Sequence, residues 1–250
     1  KTDADCAYGL AWVNAEDAFF ETQNLMYVAK GFMGRKDGID GVKADFFVHA
    51  IGARRIVEER YATDLTPEYK RYLNGYVQGL NAYAAAHPGQ VKIRKAFPVT
   101  DKDVLTAFVA TMSFLSYSQN QVGDAVGGKF DQEPINFEHL NPSVGSNAYA
   151  ASSKVTDEHK TFLCINPHLQ MNGPLSFYEM HLQSEEGLDM QGVTFQGASS
   201  HAMGTNKHLG WGFTWNYFDK VDVFKLNMHA KHKLQYEFDG KYEKLEKRPV

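Results

Sequence analysis

The residues best suited to chemistry begin at Val144-Gly145-Ser146-Asn147-Ala148-Tyr149-Ala150, where a serine opens a run that reads as a β-strand. A second apolar run, Thr161-Phe162-Leu163-Cys164-Ile165, ends in Asn166-Pro167-His168 and adds an imidazole. A serine hydroxyl attacks amide carbonyls, but a neutral serine is weak and needs a base to take its proton. Read locally, Ser146 is a capping or loop residue, and His168 is a polar residue in a loop that ends a strand. Two other arrangements are poorly supported. A metal centre on His168, His181 and His201 lacks any His-x-x-x-His or Cys-x-x-Cys spacing. An elbow-type serine hydrolase needs a second glycine that Gly197-Ala198-Ser199-Ser200-His201 does not have.

What lifts Ser146 above its local reading is the series that follows it. Gly145-Ser146-Asn147 is succeeded by Asn166-Pro167-His168, Asn172-Gly173, Phe177-Tyr178-Glu179-Met180-His181-Leu182, Leu188-Asp189, Gly204-Thr205-Asn206 and Trp211-Gly212-Phe213-Thr214. Near the start, Tyr8-Gly9-Leu10-Ala11 and Ala15-Glu16-Asp17-Ala18-Phe19 add to it. In this order the chain resembles the penicillin acylase family of N-terminal nucleophile hydrolases, and is nearest the branch of acyl-homoserine lactone and aculeacin-type acylases. The resemblance covers nearly all of the chain and is densest from Gly145 to about Phe224.

The resemblance implies an amidohydrolase acting on small N-acyl compounds, either acyl-homoserine lactones or lipopeptide-like molecules. The Gly145–Ser146 bond is then cut by the chain itself. The serine's own α-amine, with a reference pKa of about 8, becomes the base. A glycine at 145 tolerates a strained backbone and leaves its carbonyl accessible. By the same resemblance His168 orients and polarises, and the backbone N–H of Trp215 is an oxyanion donor. The second donor, an Asn, would lie beyond Val250. Met112, Ser116, Leu169 and Met203 would form the acyl pocket, although each also reads as ordinary core.

Asp219, Val221 and Asp222 match a loop that holds structural calcium in some members, with carboxylates and a carbonyl spaced for a hard cation. The glutamate expected from the helical segment is replaced by Gln119, Gln121 or Val122. No organic cofactor is implied. The cleaved helical segment would be the heterodimer partner, and the location periplasmic or secreted. A β-lactam acylase, or a non-catalytic binding or structural homologue that never releases Ser146, are the alternatives.

Composition sets the bounds. The 250 residues are 43% hydrophobic, enough to bury a substantial core in one or two domains. With 26 basic and 30 acidic residues the net charge is -4, which gives no electrostatic footprint for nucleic acid. No apolar run approaches the ~20 residues of a membrane helix. Cys6 and Cys164, two lone cysteines far apart, give neither a disulfide framework nor a metal motif, and read as buried free thiols. No signal peptide is visible at Lys1-Thr2-Asp3. An abrupt opening and a stop within strand-rich sequence read as a piece of a longer protein.

The elements that must hold the site divide in two. Helices are expected from Asp3 or Asp5 to Val13, from Glu16 to Lys30 with Gly31 and Gly34 ending it, and from Ala44 to Tyr61. Two more run from Glu68 to Ala86 behind Thr66-Pro67, and from the Thr100-Asp101-Lys102-Asp103 cap to about Tyr117. Tyr72, Tyr76, Leu80 and Tyr83 form a core stripe. Residues 118–145, rich in Gly, Asn and Pro, read as a linker or a spacer removed after synthesis. Strands follow at Phe177–Gln183, with Tyr178, Met180 and Leu182 on one face, and at Leu188–Gln196 and Val221–Met228. Gln235–Glu243 reads as a hairpin with an Asp-Gly turn. Helices followed by strands imply an α+β fold. The domains are thus a helical segment 1–117, the spacer 118–145 and the start of a nucleophile-bearing segment, 146–250. The resemblance sharpens the fold to a four-layer α-β-β-α sandwich.

Overall fold

A computed structural model describes residues 1–116, 123–124, 127–128, 145–173, 175–214, 222 and 224–247. The described helices come first and the strands after them, so the chain is α+β as its sequence order implies.

The longest helix, α1 (Asp3–Lys30), is started by Thr2, whose hydroxyl accepts from the Asp5 N–H while the Asp5 carboxylate accepts from the Thr2 N–H. The expected Asp3 or Asp5 cap is therefore corrected to Thr2. Asp3 and Asp5 instead sit in the first turn, where acidic side chains favour the helix dipole. The two helices expected over this stretch are one, kinked at Ala18 (φ -146, ψ 47). Gly31 ends it in the left-handed region. Gly34 terminates nothing, since it lies inside the short α2 (Met33–Asp37), where the Asp45 carboxylate accepts from the Met33 and Gly34 N–H groups.

The helix expected over Ala44–Tyr61 is two: α3 (Ile39–Ala50) and α4 (Ala53–Asp64), separated where Gly52 takes φ 71. Helix α5 (Pro67–Ala86) has Thr66 as its cap and proline in its first turn, and α6 (Asp101–Leu115) carries the Thr100/Asp103 capping box. Tyr76, Leu80 and Tyr83 are buried and Tyr72 packs against them, so the stripe on α5 is core.

Helices α1 and α5 cross at van der Waals contact of their backbones. A methyl group on Gly75 would lie 2.2 Å from the Ala4 carbonyl oxygen, and one on Gly79 would lie 2.3 Å from that of Tyr8. Only hydrogen fits at either position. Around this crossing Leu10, Phe19 and Met26 of α1 meet Leu73, Tyr76, Leu80 and Tyr83 of α5 and Val104 of α6.

The strands form three antiparallel groups among the described residues: β1 (Gly145–Ala151) with β2 (Phe162–His168); β3 (Phe177–Gln183), β4 (Asp189–Phe195), β5 (Met203–Thr205) and β6 (Gly210–Trp211); and β7 (Asn227–Met228), β8 (Gln235–Phe238) and β9 (Lys241–Lys244). Met180 and Leu182 of β3 enter the helical core, with Tyr178 packed against it, as their alternation implies. The β8–β9 hairpin turns at Asp239 (φ 47) and Gly240 (φ 74), the positive pair that an Asp-Gly turn supplies. The strand expected over Val221–Met228 is confined, among the described residues, to Asn227–Met228. Cys6 and Cys164 are half-buried free thiols rather than fully buried ones.

Polar contacts fix α1 to the sheet. Asn14, 1% exposed, donates to the Gln196 carboxamide oxygen (2.9 Å) and accepts from the Gly197 N–H (2.8 Å). The Tyr178 hydroxyl donates to Asp17 at 2.8 Å, and the Cys6 thiol to the Gln183 carbonyl at 3.0 Å. Asp103, 2% exposed, ties three helices by accepting from Arg54 (2.6 Å) of α4 and pairing with Lys30 (3.3 Å) of α1. Burial pushes its carboxyl up, but the Arg54 hydrogen bond, the Thr100 N–H and hydroxyl and the Lys30 charge outweigh that and hold it below the usual range.

Two outcomes follow for stability. Gly75→Ala and Gly79→Ala each lower the unfolding free energy by about 1–3 kcal/mol in urea titrations, because an added methyl meets backbone. Gly89→Ala, with open space around it, changes stability little. Asp103→Asn lowers it by about 1–3 kcal/mol at pH 7. Because the folded carboxyl is depressed, its contribution is present above the unfolded carboxyl pKa and fades as pH falls through the lower folded value. The two chains therefore converge below about pH 4, and a gap unchanged at pH 3 would contradict the assignment.

Candidate active site

Ser146 is the second residue of β1, half-buried, and pairs with Pro167 across the β1–β2 ladder. In an antiparallel ribbon alternate residues point to opposite faces. Ser146 therefore shares a face with Pro167, Ile165 and Leu163, while Gly145, Asn147, Asn166 and His168 share the other. The first face turns inward: Leu163 lies over Gly210 and Ile165 over Gly212, where a methyl group on either glycine would come within 2.8 Å.

That inward face opens on a cavity of about 250 Å³. Its wall takes Met112, Leu115 and Ser116 from the end of α6, Ser146 and Pro167 from β1–β2, and Leu169 beyond them; Phe177, Phe195, Met203, Phe213 and Thr214 complete it from the sheet and the segment after β6. Phe177 and Phe195, opposite each other on β3 and β4, stack at 4.9 Å. Met203 is 1% exposed and packs the wall, whereas Phe213, 54% exposed, stands at the rim. The polar side chains of the lining are the hydroxyls of Ser146, Ser116 and Thr214, and none of its residues is charged. The Met112, Ser116, Leu169 and Met203 expected around the serine thus meet in one cavity with it. Phe177 and Phe195 belong to it as well, and only the pairing of β3 with β4 brings them there.

The Ser146 hydroxyl donates to the carbonyl oxygen of Gly145. His168 closes β2 rather than lying in a loop beyond it, and its backbone pairs with Gly145. Its ring does not reach the serine hydroxyl. The pleat carries it to the opposite face, where Nε2 is 3.0 Å from the Asn147 carboxamide nitrogen and 3.1 Å from that of Asn166. On the same face Tyr149 lies opposite Cys164, and the hydrogen bond between them raises the phenol above its ordinary range.

Other expected residues stand apart. Trp215, Asp219 and Val221 lie outside the described residues, as do Gln119, Gln121, Val122 and most of the proposed spacer. Asp222 is exposed, and among the described residues no three His, Cys, Asp or Glu side chains are grouped to hold a metal. The fit of the loop to calcium therefore rests on one described ligand of three. His181 pairs with Asp189 at 2.8 Å instead of joining His168 and His201. Ser199 is buried with its carbonyl accepting from Tyr72, and the Ser200 hydroxyl meets that of Tyr69; strand β5 rather than a helix follows them, so neither serine sits on the strand-to-helix turn of a nucleophile elbow. No helix among the described residues is long and apolar enough to cross a membrane.

Residues 1–250 match the penicillin amidase family. An acyl-homoserine lactone acylase PvdQ of Pseudomonas fluorescens is 22% identical over 97% of this chain and 34% of its own length. A PvdQ of Pseudomonas savastanoi is 32% identical over 39% of this chain and 12% of its own. The aculeacin-A acylase of Actinoplanes utahensis is 27% identical over 43% of this chain and 14% of its own. The chain thus spans about a third of the PvdQ that it matches throughout.

The cavity wall and its rim respond differently to truncation. Met203→Ala lowers the unfolding free energy by about 2–5 kcal/mol, since its packed side chain leaves a void. Phe213→Ala changes it by less than about 1 kcal/mol. Equal losses in thermal or urea unfolding would show that the cavity is not arranged as described.

Proposed function

Because this chain belongs to the penicillin amidase family, we propose that it carries the nucleophile of an acylase that hydrolyses the amide bond of N-acyl compounds. One observation carries the reading: a serine hydroxyl stands in the wall of an apolar cavity, against the carbonyl of the peptide that precedes it.

The chemistry uses that hydroxyl twice. In maturation the Ser146 oxygen attacks the Gly145 carbonyl carbon, the C–N bond breaks as the ester forms, and the nitrogen takes up the hydroxyl proton. Water then hydrolyses the ester, leaving a Gly145 carboxylate and a free Ser146 α-amine. In turnover the neutral amine takes the hydroxyl proton as the oxygen attacks the substrate carbonyl. It passes the proton to the departing amine, and water releases the acid from the acyl-enzyme. The Trp215 N–H is the proposed oxyanion donor, a contribution of about 10²–10³ in rate for such a group.

The uncharged lining supports an apolar acyl chain as the group bound beside Ser146, because burying hydrocarbon is favourable and burying an unpaired charge is not. Met112, Leu169 and Met203 would line the chain, with Ser116 at the end of α6. The acyl-homoserine lactone acylase and aculeacin-A acylase among the relatives support an N-acyl amide as the substrate class. The finer fold reading, a four-layer sandwich, belongs to this proposal. So do the association of the released segments as a heterodimer, a periplasmic or secreted location, and calcium at Asp219, Val221 and Asp222.

Two experiments test it. In a full-length protein mass spectrometry finds a fragment beginning at Ser146, and Ser146→Ala gives an uncut chain with no activity on a panel of N-acyl-homoserine lactones. Robust hydrolysis by a chain intact at this bond would refute the mechanism. Chelator treatment followed by metal analysis finds about one calcium lost with a fall in thermal stability; a metal-free protein of full stability would remove the ion.

A further inference from the structure

The partners of the His168 ring are ones that its expected orienting role at Ser146 does not use. Asn147 and Asn166 are paired across the ladder, and Gly145 pairs with His168 itself. All four residues occupy one face, so the imidazole lies over the ribbon with a carboxamide on each strand beside it. Both carboxamides turn their nitrogens toward the same ring atom, Nε2, at 3.0 and 3.1 Å. The other ring nitrogen, Nδ1, lies 3.5 Å from where a methyl group on Gly145 would be.

Hydrogen-bond chemistry then decides which nitrogen carries the proton. A carboxamide nitrogen donates and does not accept, so an Nε2 approached by two of them offers its lone pair. A neutral imidazole has one proton, and the partners of one nitrogen fix its place on the other. We infer that Asn147 and Asn166 are positioning residues that hold His168 as its Nδ1–H tautomer, with the N–H turned toward Gly145.

The consequence rests on the proposed function. With its lone pair engaged on the Asn side, the ring has none to take the Ser146 proton. It presents a donor beside the residue whose carbonyl is attacked. The clamp orients that donor from two strands at once, and its effect is on release of the serine rather than on the packing of the fold. Asn147, Asn166 and His168 are all exposed, so substitution there leaves the core untouched.

The tautomer is read in the uncut Ser146→Ala chain with ring-¹⁵N-labelled histidine. The His168 signals are those lost on adding His168→Gln. Nδ1 is expected to give the shift of a protonated ring nitrogen and Nε2 that of an unprotonated acceptor. In the Asn147→Asp/Asn166→Asp pair the carboxylates only accept, so Nε2 becomes protonated. A protonated Nε2 in the parent chain, or an unchanged spectrum in the pair, overturns the clamp. With Ser146 restored, release of the new N-terminus, followed by mass spectrometry, slows about 10–100-fold in the pair. Release at the parent rate despite a changed tautomer overturns the positioning role. A parent chain that is never cut overturns the proposed maturation instead, and the spectrum still decides the clamp.

Discussion

The contact on which the rest depends is the crossing of α5 over α1, where Gly75 and Gly79 lie against the Ala4 and Tyr8 carbonyls. Two helices can approach this closely only where one of them lacks side chains. The short separation lets the flanking apolar residues of both, and of α6, close into one core. Polar groups on α1 then reach the sheet: the buried Asn14 holds Gln196 and Gly197 just after β4, and Tyr178 of β3 reaches back to Asp17 at the surface. The apolar stripe of β3 enters the same core, so β3 and β4 are held by hydrocarbon and hydrogen bonds together. That fixes Phe177 and Phe195, the stacked pair in the cavity wall.

The second constraint is the pleat of β1 and β2. Successive side chains on a strand point oppositely, so the register that pairs Gly145 with His168 separates the serine from the imidazole. The hydroxyl faces an apolar enclosure and the ring faces a polar surface shared with two carboxamides. A serine away from an imidazole base needs another base. An N-terminal amine on its own residue answers that need without any further side chain, which makes the separation compatible with the proposed chemistry.

Around these two constraints the helical half has its own polar joint. Asp103 closes the cap of α6 and holds cations from α1 and α4, so a single buried carboxylate both starts a helix and fastens two others. Desolvation alone would make such a group a liability, and its several partners are what keep it ionised.

The sequence by itself determined what short-range chemistry controls. The Thr66-Pro67 start, the Thr100/Asp103 box, the Asp239-Gly240 turn and the alternation over Tyr178, Met180 and Leu182 could each be read within a few residues, because caps, turns and periodicity are local. The order of helices and strands gave the α+β class, and the ordered motifs from Gly145 gave the family resemblance, which in turn implied Met112, Ser116, Leu169 and Met203 around the serine. Tertiary structure decided everything that depends on what lies opposite. Gly52 could have sat within a helix, and only its positive φ separates α3 from α4. Gly75 and Gly79 carry no signal in α5 until α1 is laid against them. Phe177 and Phe195 are unremarkable strand aromatics until their strands pair. The family resemblance made His168 a partner for Ser146. Strand pairing brings their backbones together, and the pleat, which no linear spacing reveals, turns their side chains apart.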